Sequence, residues 1–303
     1  MKPLTIAVIV LCILVVAFSC WYVYRMHVLI TKNTSCTTLQ QLKSLQPQSM
    51  TTDLIRKSIP LPCYYINLDR SPERRKFMEQ LTEPIKDRTT RVSAIDGKKH
   101  TETSMDGVLY VTNYKLSNSQ IACSLSHIKT LQLIEEAGHD AALVMEDDAS
   151  FELMPFWPKN YIQTILKEIP DDVGIVQLYW GRHSEKWCNV SDTHKLQQVT
   201  KPCYGTVAYI VTRRGVQDIL AYTLPDRNGP VQLISTDGFP ECGAADMFLY
   251  QLTKVYNTSL PIMVFDNSDF ESTITTTVDL DNLRYFANIL NKYIEKTEGI
   301  DYK

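Results

Sequence analysis

The run Ala141-Ala142-Leu143-Val144-Met145, followed at once by Glu146-Asp147-Asp148, constrains this chain more than any other segment. Five apolar residues in a row describe a strand buried on both faces, as inside a parallel sheet. Three adjacent carboxylates at its end repel one another and call for a cation or a well-solvated turn. In open α/β sheets, ligands settle at the carboxyl ends of strands. The triplet therefore reads in two ways. It is a divalent-metal site that presents a diphosphate, or it is an acidic turn leading into Phe151.

The flanking pattern predicts a layered α/β fold. Cys63-Tyr64-Tyr65-Ile66-Asn67-Leu68 reads as a first strand. Ser71 then stands as N-cap, Pro72 at the first helical position and Glu73 in the first turn. Arg91 to Gly97 reads as a short strand ending in a turn. Ile121, Leu125, Ile128, Leu131 and Ile134 recur at helical spacing over 119–138, with Gly138 as the stop. Phe151–Ile169 reads as a helix broken early by Pro155 and Pro158. Strands are expected over 174–179 and 206–211, with a helix from Gly215 to Tyr222. This alternation predicts an α/β sandwich with a mainly parallel sheet.

At 303 residues, 44% hydrophobic and 21% charged, the chain can bury a sizeable core. Its net charge of −3 gives no reason to expect nucleic acid as a partner. Leu4 to Tyr24 is a run of 21 residues without a charge, long enough to cross roughly 30 Å of hydrocarbon. Trp21, Tyr22 and Tyr24 cluster at one end, like an interfacial belt. Ala17-Phe18-Ser19 also resembles a signal-cleavage site, so a removed leader stays open beside a membrane anchor. On the anchor reading, residues 1–3 are a cytoplasmic tail, 4–24 the signal-anchor and 25–60 a polar stem. Order is then expected to begin near Pro60-Leu61-Pro62, with a catalytic domain over 61–275 and a helical tail over 276–303. Asn33, Asn189 and Asn257 head Asn-x-Ser/Thr sequons, which together with eight cysteines fit an oxidising lumen. No C-x-x-C pair is present; Cys188 and Cys203 are the first candidates for a disulfide.

Dinucleotide, Walker A, nucleophile-elbow and H-E-x-x-H motifs are absent. What remains is the triplet and a few satellites. Asn67 stands at the end of the first strand and Arg70 and Arg74 follow it, where the arginines suit phosphate or a base edge; a solvated helix start is the plainer alternative. Ser126-His127 lies on the helix before the triplet, and a lone histidine there is more often structural. Asp237, Glu241 and Asp246 occupy a Gly- and Pro-containing segment, the kind of loop that carries a catalytic base. Asp246 reads equally as a helix N-terminal acid.

Taken in order, these segments resemble glycosyltransferase family 25. Tyr65 to Arg75 is similar to that family's opening motif, Arg91 to Gly97 to its second, and Cys123-Ser124-Leu125-Ser126-His127 to its third. Leu143 to Asp148 resembles the fourth, and Ala208-Tyr209-Ile210-Val211 with Gly215 a later block. The resemblance covers roughly 61–255 and implies a GT-A-like nucleotide-sugar transferase domain behind one N-terminal transmembrane helix. It implies inverting hexosyl transfer from a UDP-sugar, galactose foremost, with Mn²⁺ held by Asp148 and Asp147. Asn67, Arg70, Arg74, Asp96, Ser126, His127, Glu146 and Asp147 are then the nucleotide-sugar site. Asp246 is the expected base, with Asp237 and Glu241 behind it. The partners implied are the donor, a protein or glycan acceptor and the membrane, in the endoplasmic reticulum or Golgi with a lumenal catalytic domain. The chain departs from the pattern at Ser119-Gln120, where the family has a Gly-Glu pair, and its C-terminus lacks a KDEL-like signal. Two other classes stay open: a metal-dependent phosphohydrolase, and a silent glycan-binding or adhesion protein on the same fold.

Overall fold

The structure, a computed structural model, describes residues 50–99, 108–111, 116–179, 196–199, 205–226, 229, 231–234, 244–258 and 263–265. All fall within one unit, Pro47–Val278 with Lys296–Lys303. The strands are β1 (Cys63–Asn67), β2 (Thr89–Ser93), β3 (Val108–Val111), β4 (Ala141–Glu146), β5 (Ala149–Ser150), β6 (Val173–Gln177), β7 (Leu196–Gln198), β8 (Ala208–Thr212), β9 (Val231–Ile234), β10 (Lys254–Thr258) and β11 (Val264–Phe265). The helices are α1 (Thr52–Ser58), α2 (Pro72–Thr82), α3 (Asn118–Glu136), α4 (Tyr161–Glu168), α5 (Arg213–Thr223) and α6 (Ala245–Leu249).

Seven strands form the central sheet in the order β2-β1-β4-β8-β6-β10-β7; β3 pairs with β9 and β5 with β11 apart from it. The expectation of a mainly parallel sheet needs correction. β1 runs parallel to β2 and β4, and β10 to β6. β8 enters antiparallel between β4 and β6, and β7 is antiparallel to β10. The sheet is therefore mixed. The reason lies in burial: β6 is buried at every position and β8 at all but its last. A strand covered on both faces has no polar alternation from which its partners could be read.

One face of the sheet packs Ile66, Val144, Val211 and Ile175 against Leu125, Ile128 and Leu131 of α3 and Val216, Ile219 and Leu220 of α5. The five apolar positions expected to form the inner stripe of α3 are all buried. Ser117 and Gln120 close a capping box at its start: the Gln120 amide donates to Ser117 Oγ at 3.3 Å, and Gln120 Oε1 accepts from the Ser117 amide at 2.9 Å. Gln120 thus fills the capping role a glutamate would have there. Gly138, at φ 71°, ends the helix as expected. Gly215 sits where α5 crosses β6, so close that an added Cβ would strike the Gly174 backbone.

Two further expectations shift. Ser71 takes the N-cap position of α2, but its hydroxyl makes no capping bond. The stretch read as stem carries α1 at its end: Ile55 is buried, Arg56 Nη1 donates to the Pro84 carbonyl at 2.8 Å, and Gln163 Nε2 donates to the Lys57 carbonyl at 3.0 Å. Among the described residues no helix is long and apolar enough to cross a membrane. The expected anchor at 4–24, the tail at 276–303, Asn33, Asn189, Cys188, Cys203, Asp237 and Glu241 lie outside the described residues. Cys63 and Cys123 carry free thiols. Asn257 is 2% exposed on β10, so the folded chain has no room for a glycan there and that expectation is corrected.

Candidate active site

Parallel pairing brings the carboxyl ends of β1 and β4 together, with Ile66 opposite Glu146. The residues that follow each strand, with one face of α3, line a pocket whose polar walls are Arg70, Arg74, Cys123, Glu146, Asp147 and Asp148. Ser126 and His127 also contribute to it. Residues separated by some 80 positions in the chain meet here because the sheet, not local sequence, joins them.

Asp147 is buried and held by protein. Asn67 Nδ2 donates to its Oδ2 at 2.7 Å, and Arg74 Nη1 to its Oδ1 at 2.5 Å. Arg91 Nε donates to Asn67 Oδ1 at 3.0 Å and so fixes the amide from behind. Asn67 is 1% exposed, and these partners are internal. Asn67 therefore orients Asp147 rather than a ligand, and Asp147 is anchored by protein with a lone pair left on each oxygen. Arg74, itself buried, also approaches Asp148 Oδ2 at 3.4 Å.

Asp148 differs from its neighbour. Its Oδ1 is buried without a hydrogen-bond partner. Burial first, then Glu146, pushes its carboxyl up to about 7, against the pull of Arg74. Glu146 Oε1 accepts from Thr206 Oγ1 at 2.5 Å and stands 3.5 Å from His127 Nε2. Burial opposes its ionisation, but His127, Thr206 and Arg74 outweigh that and hold its carboxyl below the usual range. His127 is fully buried, with Nδ1 3.0 Å from Tyr209 Oη.

The remaining sequence candidates divide. Arg70 lines the pocket and donates from Nε to Asp96 Oδ2 at 2.9 Å. Ser126 Oγ donates to the Ala122 carbonyl at 2.6 Å and accepts from the Ile95 amide at 2.9 Å, pinning the 94–97 turn to α3. Asp246 is not part of the pocket lining. Its Oδ2 accepts from the Gly205 amide at 2.9 Å and its Oδ1 from the Met247 amide at 2.8 Å. Burial pushes its carboxyl up, against those two amides. The helix N-terminal role is thus the one its geometry shows.

Sequence reasoning missed Thr206, Tyr209, Arg91 and Cys123. Tyr209 and Cys123 stand in the family-like motifs, yet an apolar strand and an apolar helix face hid their polar atoms. Arg91 heads the second family-like motif but was read only as part of a short strand, and Thr206 carried no signal before the fold placed it.

The sequence model of glycosyltransferase family 25 (LPS biosynthesis protein) matches residues 61–232, more than half of the chain. The chain belongs to glycosyltransferase family 25. A Drosophila pseudoobscura pseudoobscura protein named glycosyltransferase 25 family member is 28% identical over 172 residues, 52% of this chain and 26% of the relative. Its Drosophila melanogaster counterpart is 27% identical over 179 residues, 55% of this chain and 29% of the relative. Procollagen galactosyltransferase 1 of Danio rerio is 27% identical over 177 residues, 52% and 28% of the two chains. The matched region thus spans less than a third of the length of these relatives.

Proposed function

We propose that this chain transfers a hexose, galactose foremost, from a UDP-sugar to a hydroxyl of a protein or glycan acceptor, with inversion. The observation that carries this reading is Asp148 Oδ1, a buried oxygen without a partner. It stands at the pocket where two parallel strands end, in a chain of this family. A name supports the choice of sugar: procollagen galactosyltransferase, borne by a relative matching half of this chain.

Such an oxygen fits a divalent cation of the Mn²⁺ type, which takes hard oxygen ligands. Asp148 would hold it, with Asp147 beside it, since the bonds from Asn67 and Arg74 leave a lone pair on each Asp147 oxygen. When bound, the cation neutralises charge on the departing diphosphate. The rest falls to the chain's own groups. Arg74 holds the acids in one geometry, and Arg70 offers a guanidinium to phosphate or a base edge. The hydroxyl proton must pass to a carboxylate within hydrogen-bond reach. Asp246 accepts one backbone amide on each oxygen and keeps a lone pair on each, so it stays the first choice, with Asp237 and Glu241 behind it. The uncharged run from Leu4 to Tyr24 supports a single-pass anchor in the endoplasmic reticulum or Golgi, with this domain lumenal.

The test is UDP release by the full chain in detergent from a panel of UDP-sugars, with and without Mn²⁺, beside Asp148→Ala. Metal-dependent release from one donor, lost in the variant, is expected. No release from any donor would overturn the proposal, and donor binding without release would favour a silent glycan-binding protein. Asp246→Asn should abolish transfer with donor binding kept; full activity there, with loss in Asp237→Asn or Glu241→Gln, would move the base role to the residue affected.

A further inference from the structure

We propose that Cys123, His127 and Glu146 form a second metal centre, which takes a borderline-soft divalent ion of the zinc type beside the oxygen site at Asp148. One ligand atom from each, the thiol sulfur, an imidazole nitrogen and a carboxylate oxygen, lies within 4.8 Å of the other two. His127 Nε2 and Glu146 Oε1 are already 3.5 Å apart. A tetrahedral zinc site asks for ligand atoms about 3.3–3.8 Å apart, given its bond lengths. Closure therefore requires a shift of about 1 Å or less, which a Cys or Glu side chain makes without moving the backbone.

The histidine supplies an independent sign. It is 0% exposed, and its Nε2 makes no hydrogen bond of good geometry, with Glu146 Oε1 at 3.5 Å. The other ring nitrogen stands 3.0 Å from Tyr209 Oη. Metal binding through Nε2 requires the tautomer in which Nδ1–H donates to that oxygen, and this contact is placed to hold it. Metal-bound histidines make such an outer bond almost without exception. Glu146 has its own outer partner in Thr206 Oγ1.

Position and chemistry agree. Cys123 and His127 are one turn apart on α3, and Glu146 ends β4, so an ion would bolt helix to strand end. Cys123 and Glu146 line the pocket, which leaves a fourth position open to water or a hydroxyl, as in zinc sites that act on substrates. A thiolate and an imidazole select zinc over manganese, whereas the lone oxygen of Asp148 suits the harder ion. Binding releases the thiol proton to solvent and oxidises nothing.

Titration of the chelator-stripped full chain with Co²⁺ tests this, followed by the thiolate-to-cobalt charge-transfer band. The chain has eight cysteines, so the variant decides the assignment. The expected result is a band saturating at one ion per chain, lost in Cys123→Ser and kept in Asp148→Asn. Tyr209→Phe should weaken cobalt binding about 10- to 100-fold. No band in the wild type, or the same band in Cys123→Ser, would overturn the centre. A second measurement needs no variant: Zn²⁺ at ten times its Kd should slow iodoacetamide labelling of Cys123 about tenfold, and an unchanged rate rejects the proposal. The two readings fail separately: sugar release without the band removes the centre alone, and the band without release removes only the transferase.

Discussion

β4 and β6 are the same kind of strand with different ends. Both run through the core with apolar, buried interiors. β4 leads into Glu146, Asp147 and Asp148, whereas β6 ends at Gln177, followed by Leu178 and Tyr179. Gln177 is buried and neutral, and its Nε2 donates to the Gly205 carbonyl at 3.1 Å. At β4 the charges need Arg74 and Asn67, brought from the end of β1. The difference teaches where this molecule concentrates stress. The β6 end closes in neutral packing, and the β4 end holds like charges together at the pocket.

The largest effect should come from Asp148→Asn. Loss of the oxygen site should lower sugar transfer by about 10²- to 10³-fold. Relief of one of three crowded carboxylates should meanwhile raise Tm by about 2–4 °C. A lower Tm with transfer intact would erase the contrast. Arg74→Met comes next. It leaves Asp147 buried without its cation and should cost about 3–5 kcal/mol in urea unfolding. Adding Asp147→Asn should recover at least half of that; a double variant no better than the single would sink the anchoring of Asp147 by Arg74.

On the neutral side, Gly215→Ala should cost about 1–3 kcal/mol through overpacking against Gly174, with transfer kinetics unchanged in the folded fraction. A stability within 0.5 kcal/mol of wild type, near the noise for inert surface changes at roughly that size, would break the claim of close packing. The smallest effect is in pH dependence. Burial raises the Asp246 carboxyl above its ordinary value, so the folded chain binds this proton more tightly than the unfolded one. Its contribution is full below the unfolded pKa and is lost as pH rises through the folded one. Asp246→Asn should flatten that decline above pH ~4, read as urea midpoints across a pH series. An unchanged slope would reject it.

Much of this was legible in the sequence. The α3 stripe, the Gly138 stop and the strand before the triplet follow from periodicity and turn chemistry alone. The meeting of Arg70, Arg74, His127 and the acids at one pocket followed from motif order. Strand direction was not legible, because β8 carries the same doubly buried pattern as its neighbours. Division of labour between Asp147 and Asp148 was also hidden. Two adjacent residues of one type differ through Asn67, which takes Asp147 alone, and through Arg74, which lies closer to Asp147 than to Asp148, and nothing local records that choice.

The antiparallel insertion of β8 has a consequence during synthesis. β4 completes its pairing only when β8 has been made, and about 66 residues separate their ends at Glu146 and Thr212. At ribosomal speeds of about 5–20 residues per second, that is a delay on the order of 3–13 s. Throughout it the apolar β4 presents an open edge to the cell, an invitation to wrong partners. A nascent chain halted between Glu146 and Ala208 should therefore bind chaperones more strongly than one released after Thr212.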